Sequence, residues 1–476
     1  MKKVLIIIVT LCVVVAATTF VGYRFLRKSS PKPVNVVLIG IDTLRADHVS
    51  CYGYKKNETP NLDEAAREGV RFARCVSQAP WTLPSFATVF TSLYPSQHGA
   101  QINRELRDLS KNIPNKLRDK VTLTRILKEN GMITRGIASN PFTGYGIDQD
   151  FQKFDFFWKG AHEITDAGID FIKNKGQNPF FLYLHYNDPH EYNKLVPEPY
   201  TEQFTPKEVI ERFRSPGFSI VQFSLTLLDT FDFKSPASET EVGKFLLNMY
   251  DAQVSFADAQ IGRFLGELKK QNLWENTLVV ILSDHGEEGM EHYLQEKEFG
   301  FDPRGYYGSG HGHSLYEELL DVVLILTGGA VPKGEVVDGT ARLIDIMPTI
   351  LDYLDVNSDT PMEGVSLRQA VDSGAVKDRP AISEAIAYGY EKKAVSFKDW
   401  KYIFSFYNQM EELYNLKTDP REKNNLIEKE REQAAFLKKS LLDHMKKSNE
   451  ERFREQGEEK IDEATKKRLK DLGYLN

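Results

Sequence analysis

Apolar residues along this chain fall into short β-branched runs separated by stretches of helical period, and that alternation predicts an α/β fold. Residues 34–41 read Val-Asn-Val-Val-Leu-Ile-Gly-Ile, a near-continuous apolar run of the kind a parallel strand covered on both faces requires. Helical spacing over 122–130 ends at Gly131, and 132–138 then reads as a strand. Residues 180–185, 277–282 and 321–326 are further buried-strand runs, and 249–268 repeat apolar residues at helical intervals. Strands alternating with helices imply a three-layer domain around a mixed, mostly parallel sheet, with reactive groups gathered beyond the carboxyl ends of the strands.

Where the pattern breaks, it marks boundaries. Residues 191–241 lose clear periodicity and read as an insertion within a catalytic domain spanning 30–357. Beyond 357 a strand-like 400–406 and a highly charged helical stretch over 424–472 predict a smaller α+β subdomain, 358–476. At the other end, residues 4–23 carry no charge and are flanked by Lys2 and Lys3 before and Arg24, Arg27 and Lys28 after. As a helix such a run reaches about 30 Å, the thickness of a bilayer core. Residues 1–29 are therefore expected to be a membrane anchor with a linker, or a cleaved export signal, with the catalytic domain on the extracytoplasmic side or secreted.

The chain has 476 residues, a net charge of −7 and acids and bases interspersed, so no broad basic face is expected and nucleic acid is an unlikely partner on charge grounds. An anionic substrate must then be captured locally. Cys51 and Cys75 lack metal-type spacing; they read as buried thiols or a pair, the former favoured.

Three segments carry candidate chemistry. Asp42 ends the first predicted strand, where a carboxylate is costly unless compensated by a cation, although an Asp there also suits capping the next helix. Pro84, in Trp81-Thr82-Leu83-Pro84, suits the first turn of a helix, so unpaired backbone N–H groups point beside the Thr82 hydroxyl and favour an anion. Thr82 is either an ordinary cap or a nucleophile next to a metal. Asp284 and His285 follow the strand 277–282 and offer mixed oxygen and nitrogen donors, a set suited to Zn²⁺ or Mn²⁺ and less so to Ca²⁺. Downstream, His311 and His313 lie on a glycine-spaced loop and are candidates for a second metal, for substrate binding or for protonating a leaving oxygen. His190, in Asp188-Pro189-His190, is a weaker substrate contact, and His185 reads as buried structure.

Taken in order, these segments resemble the sulfatase family of the alkaline-phosphatase superfamily. The matching residues are Ile41-Asp42-Thr43-Leu44-Arg45-Ala46-Asp47-His48, Thr59-Pro60-Asn61-Leu62, Thr82-Leu83-Pro84-Ser85, Asp188-Pro189-His190, Asp284-His285-Gly286, His311-Gly312-His313 and Glu412-Leu413-Tyr414-Asn415-Leu416. The resemblance implies an alkaline-phosphatase/sulfatase-like core with a smaller C-terminal domain. One divalent metal ion (Zn, Mn or Ca) would be held by Asp42, Thr82, Asp284 and His285, with Thr82 and His313 catalytic and His190, His311, His313 and Asn140 contacting substrate.

The departures bear on substrate. Sulfatases proper carry Cys or Ser, converted to formylglycine, where this chain has Thr82, and Thr cannot give that aldehyde. Phe86 stands where they have Arg, and Ser139-Asn140-Pro141-Phe142 where they have Lys-x-His. The expectation is a hydrolase acting on a sulfated or phosphorylated glycan, lipid or small molecule, with threonine favouring phosphoester chemistry. A phosphoethanolamine-type transferase and a catalytically silent binding protein are the alternatives.

Overall fold

The computed structural model describes residues 34–56, 59–102, 114–157, 160–192, 196–213, 241–300, 302 and 307–456. The expected N-terminal anchor lies outside them; among the described residues no helix is long and apolar enough to cross a membrane.

Eight strands form the main sheet: β1 (Asn35–Ile41), β2 (Val70–Val76), β3 (Ile133–Ala138), β4 (Lys153–Phe156), β5 (Phe180–Tyr186), β6 (Thr277–Ser283), β9 (Leu324–Thr327) and β10 (Glu335–Arg342). They lie in the order β10-β2-β9-β6-β1-β5-β3-β4. Only β9 runs against its neighbours, pairing antiparallel with both β6 and β2. The expected mixed, mostly parallel sheet is therefore present. Its central strands β1, β5 and β6 are buried at every position, which is why their sequences are continuous apolar runs rather than alternating ones.

Helices cover both faces. On one, Phe86 and Phe90 of the helix Thr82–Thr91 pack with Tyr183 and Phe181 of β5. On the other, the long helix Glu241–Lys270 sets Ile261, Phe264 and Leu268 against Ile39, Ile281 and Leu184. Within the stretch expected as an insertion, Tyr200–Phe204 and Lys207–Phe213 are short helices, and Tyr200 packs edge-on to Phe256 of the long helix. Residues 214–240 lie outside the described residues. Between the larger strands β7 (Glu288–Gly289) and β8 (Ser309–Gly310) make a two-residue antiparallel ladder. Cys51 and Cys75 are free, Cys75 buried and Cys51 partly so.

A second sheet, β11 (Ala381–Ser383), β12 (Lys392–Phe397), β13 (Trp400–Ser405) and β14 (Glu411–Asn415), is antiparallel throughout. The helix Arg431–Gln456 buries Ala434, Leu437 and Leu441 against it and leaves its charged face to solvent. Glu384 ties this unit to the larger one. Its carboxylate accepts from the Ser96 backbone N–H at 2.7 Å, pairs with Lys393 of β12 and lies 3.8 Å from His444 of the helix. Burial opposes ionisation of Glu384, but the Lys393 charge and the contact to His444 hold its carboxyl well below the usual range.

A carboxyl held low in the folded state stabilises the fold at neutral pH, and that contribution is lost as pH falls through the depressed folded value. Glu384→Gln is expected to lower stability by about 1.5–3 kcal/mol at neutral pH by removing the nearest carboxylate of Lys393. The deficit should narrow once the pH drops below the ordinary glutamate value of 4.5. Urea unfolding at pH 7 and in acid checks both statements.

Candidate active site and metal centre

The site follows from strand register. β1 and β6 are adjacent and parallel with Ile41 opposite Ser283, so the next residue of each, Asp42 and Asp284, emerges side by side. Both are fully buried. Asp284 Oδ1 accepts from the backbone N–H groups of Thr43 at 3.2 Å and His285 at 2.9 Å. Thr43 has a φ of 55°, an uncommon conformation for a β-branched residue, in the turn that brings its N–H to Asp284. Asp42 Oδ2 accepts from Asn140 Nδ2 at 2.6 Å. The remaining oxygens, Asp42 Oδ1 and Asp284 Oδ2, are buried without any hydrogen-bond partner.

His285 supplies the third donor. Its Nδ1 lies 2.8 Å from the Gly286 carbonyl, which can only accept, so Nδ1 carries the hydrogen and Nε2 presents a lone pair. Nε2 is 3.5 Å from Asp42 Oδ1 and 3.4 Å from Asp284 Oδ2. Burial pushes Asp42 up to about 6; burial and the facing Asp42 charge push Asp284 well above the carboxylate range. Burial also drives His285 well below the imidazole range. Two orphaned carboxylate oxygens and a neutral imidazole lone pair, all within 4.8 Å of one another, fit a divalent cation.

Thr82 is the first residue of the helix Thr82–Thr91, after an extended Trp81, and Pro84 sits in the first turn as its fixed φ allows. The Oγ1 of Thr82 is 3.5 Å from Asp42 Oδ2, 3.4 Å from His285 Nε2 and 3.3 Å from Asn140 Nδ2. Two serines fix this arrangement: Ser77 Oγ and Ser85 Oγ each approach the Asp284 carbonyl at 2.6 Å. Farther along the helix, the Phe86 ring fills the space above Gly40, and a Cβ on Gly40 would lie 2.5 Å from Phe86 Cζ.

The other residues expected at the site divide into two groups. Asn140 faces Thr82 and Asp42, and its side-chain oxygen also caps the turn Pro141–Gly144 through the Phe142 N–H. The His311 ring lies 4.6 Å from that of His285 and 5.0 Å from that of His190, and its Nδ1 is 2.8 Å from Glu287 Oε2. His313 is not brought to Thr82. Its Nε2 lies 2.9 Å from Glu288 and 3.2 Å from Glu296, in a separate buried cluster. Glu287 and Glu288 are neighbours at the start of β7 and point to opposite sides, while the positive φ of Gly310 (88°) and Gly312 (80°) turns the loop after β8, so His311 meets Glu287 and His313 meets Glu288.

Sequence reasoning missed three contributors. His185, expected as buried structure, is buried, but its Nε2 lies 3.6 Å from Asp42 Oδ2; burial drives its pKa down to about 3, so it is neutral. Asn187 receives Asn140 Nδ2 at 3.2 Å. Glu287 holds His311. His185 lies near the end of β5, and Asn187 and Glu287 lie just beyond β5 and β6, strand ends already singled out, which was the available signal.

The model of the Sulfatase family matches residues 34–356, and that of the N-sulphoglucosamine sulphohydrolase C-terminal region matches 305–451. The chain belongs to the sulfatase family. As a member of that family, within the alkaline-phosphatase superfamily, it is an ester hydrolase. An N-acetylglucosamine-6-O-sulfatase of Bacteroides thetaiotaomicron is 25% identical, over 88% of this chain and 87% of the relative. An arylsulfatase of Clostridium perfringens is 24% identical, over 86% and 93%. Two solved structures share the fold. One, in complex with its substrate D-glucosamine-2-N,6-O-disulfate, has a TM-score of 0.66 at 22% identity, covering 88% of this chain and 98% of the other. The phosphonate monoester hydrolase of Agrobacterium radiobacter has a TM-score of 0.66 at 20% identity, covering 87% and 96%.

Packing of Phe86 on Gly40 couples the helix that begins at Thr82 in this sulfatase-family protein to the strand that leads to Asp42. Gly40→Ala is expected to cost about 1–3 kcal/mol by overpacking. In a Phe86→Leu background, where the struck ring edge is gone, the same change should cost less. A double-mutant cycle of denaturation midpoints measures the difference.

Proposed function

We infer that the protein is a cation-dependent hydrolase in which Thr82 is the attacking group, acting on anionic esters, with phosphate esters, phosphodiesters above all, favoured. The observation that carries this reading is the place of Thr82 Oγ1, beside Asp42 and His285, where one oxygen each of Asp42 and Asp284 is buried without a partner. Asp42, Asp284 and His285 would hold one divalent cation with Thr82 next to it. Bound there, the cation lowers the pKa of the hydroxyl and offsets charge on the ester's non-bridging oxygens.

The chain's own residues supply the rest. Thr82 Oγ1 attacks phosphorus in line while the bond to the ester oxygen breaks, and the hydroxyl proton has Asp42 Oδ2 as an acceptor at 3.5 Å. Asn140 donates toward Oγ1 and fixes its direction. His311, oriented by Glu287, donates a proton to the leaving oxygen, a role for which the family resemblance points to His313. Water then cleaves the phosphothreonine ester and restores the hydroxyl.

Two features support phosphorus over sulfur. Threonine cannot become formylglycine. The groups around its hydroxyl are Asp42, Asn140 and His285, none a lysine or arginine, which suits a singly charged phosphodiester better than a doubly charged monoester. The uncharged run over residues 4–23 supports an anchor that holds the catalytic domain at the extracytoplasmic face of a membrane.

With bis(p-nitrophenyl) phosphate, p-nitrophenyl phosphate and p-nitrophenyl sulfate as matched substrates, the diester should turn over fastest. Thr82→Ala should lower kcat/KM by about 1,000-fold or more on whichever is cleaved; an active variant would reject Thr82 as nucleophile. Asp284→Asn should remove one equivalent of bound cation, read by elemental analysis of the purified protein.

A further inference from the structure

We propose that Glu288, Glu296 and His313 form a second divalent-cation site of the Zn²⁺ class, separate from the centre at Thr82. The three side chains come from different segments: β7, the helix Tyr293–Phe299 and the loop after β8. All are at least nine-tenths buried, with exposures of 2%, 5% and 6%. One donor atom from each lies within 4.8 Å of the others. His313 Nε2 is 2.9 Å from Glu288 Oε2 and 3.2 Å from Glu296 Oε2. Donors about 2.0–2.2 Å from a tetrahedral Zn²⁺ stand roughly 3.3 Å apart, close to these spacings.

A hydrogen-bonded charge network is the competing account, and stoichiometry counts against it. One imidazole nitrogen carries one hydrogen, yet two carboxylates converge on it. The second oxygen of Glu296, Oε1, is buried with no hydrogen-bond partner, as is His313 Nδ1. Of the nearby cations, His292 Nδ1 is 2.5 Å from Glu318, and Lys392 Nζ donates to the His313 carbonyl at 3.4 Å and offsets part of the Glu296 charge, which still leaves two carboxylates on one imidazole nitrogen. A doubly charged ion accepts all three lone pairs and removes the repulsion between two buried carboxylates.

The donor set also indicates a task. Glu288 directly follows Glu287, and His313 is two residues after His311, so an ion bound here locks the ladder that sets the Glu287–His311 pair. It would fasten the helix Tyr293–Phe299 to that ladder as well. The role is structural, and it stands independently of how Thr82 is read.

The full-length chain is the material for the test, with ZnCl₂ as the probe and Asp284→Asn used to empty the catalytic centre. After equilibration and gel filtration, Asp284→Asn should retain about one Zn²⁺ per chain. Asp284→Asn/Glu296→Gln and Asp284→Asn/His313→Gln should retain none, with unchanged circular dichroism. Zn²⁺ should raise the Tm of Asp284→Asn but not that of the double variants. Co²⁺ added to Asp284→Asn, whose second cluster is unaltered, should give visible absorption bands of a low-symmetry site. Absence of Zn²⁺ and of Co²⁺ bands in Asp284→Asn overturns the site, and so does equal retention by the double variants.

Discussion

Everything at the centre of this molecule depends on placing two carboxylates where water cannot reach them. Parallel pairing of β1 with β6 forces Asp42 and Asp284 out at the same level, and a dry pocket with two such groups is unfavourable until positive charge enters. The surrounding structure meets part of that demand with hydrogen bonds to one oxygen of each residue and leaves the other oxygen of each open. A site built in this way has its affinity for a cation set by the backbone, before any substrate arrives. The threonine hydroxyl acquires its chemical setting by being delivered to the edge of that pocket on a helix buried along its whole length.

The delivery is rigid because its supports are shared. Ser77 and Ser85 converge on the carbonyl of Asp284, so the loop before the helix, the helix itself and the end of β6 are joined at one oxygen. Phe86 and Gly40 join the same helix to β1 by shape. Any displacement of the Thr82 hydroxyl must therefore break a buried contact first.

Much of this was legible in the residues. Central strands announce themselves as unbroken apolar runs because both faces are covered, and acids placed directly after those runs mark the site. The strands β2 and β10 were not legible. Val-Arg-Phe-Ala-Arg-Cys-Val alternates with charge, and β10 exposes half its positions at the sheet edge and carries a register shift. The histidine loop was legible in composition but not in partition. Two histidines spaced by one glycine look equivalent in a list of residues, whereas the turn at Gly312 after the two-residue ladder sends His311 to Glu287 and His313 to Glu288. Glu287 and Glu288 gave the matching half of that information, and only pairing register connects the halves.

The sheet order has a consequence for how the chain is made. The first strand synthesised in the described region, β1, lies between β5 and β6, whose residues follow some 140 and 240 positions later. Until both emerge, a fully apolar segment has no partner on either edge, and such exposed edges invite association with other chains. Assembly of the interior is thereby postponed until β6 has been translated, more than half of the way along the polypeptide.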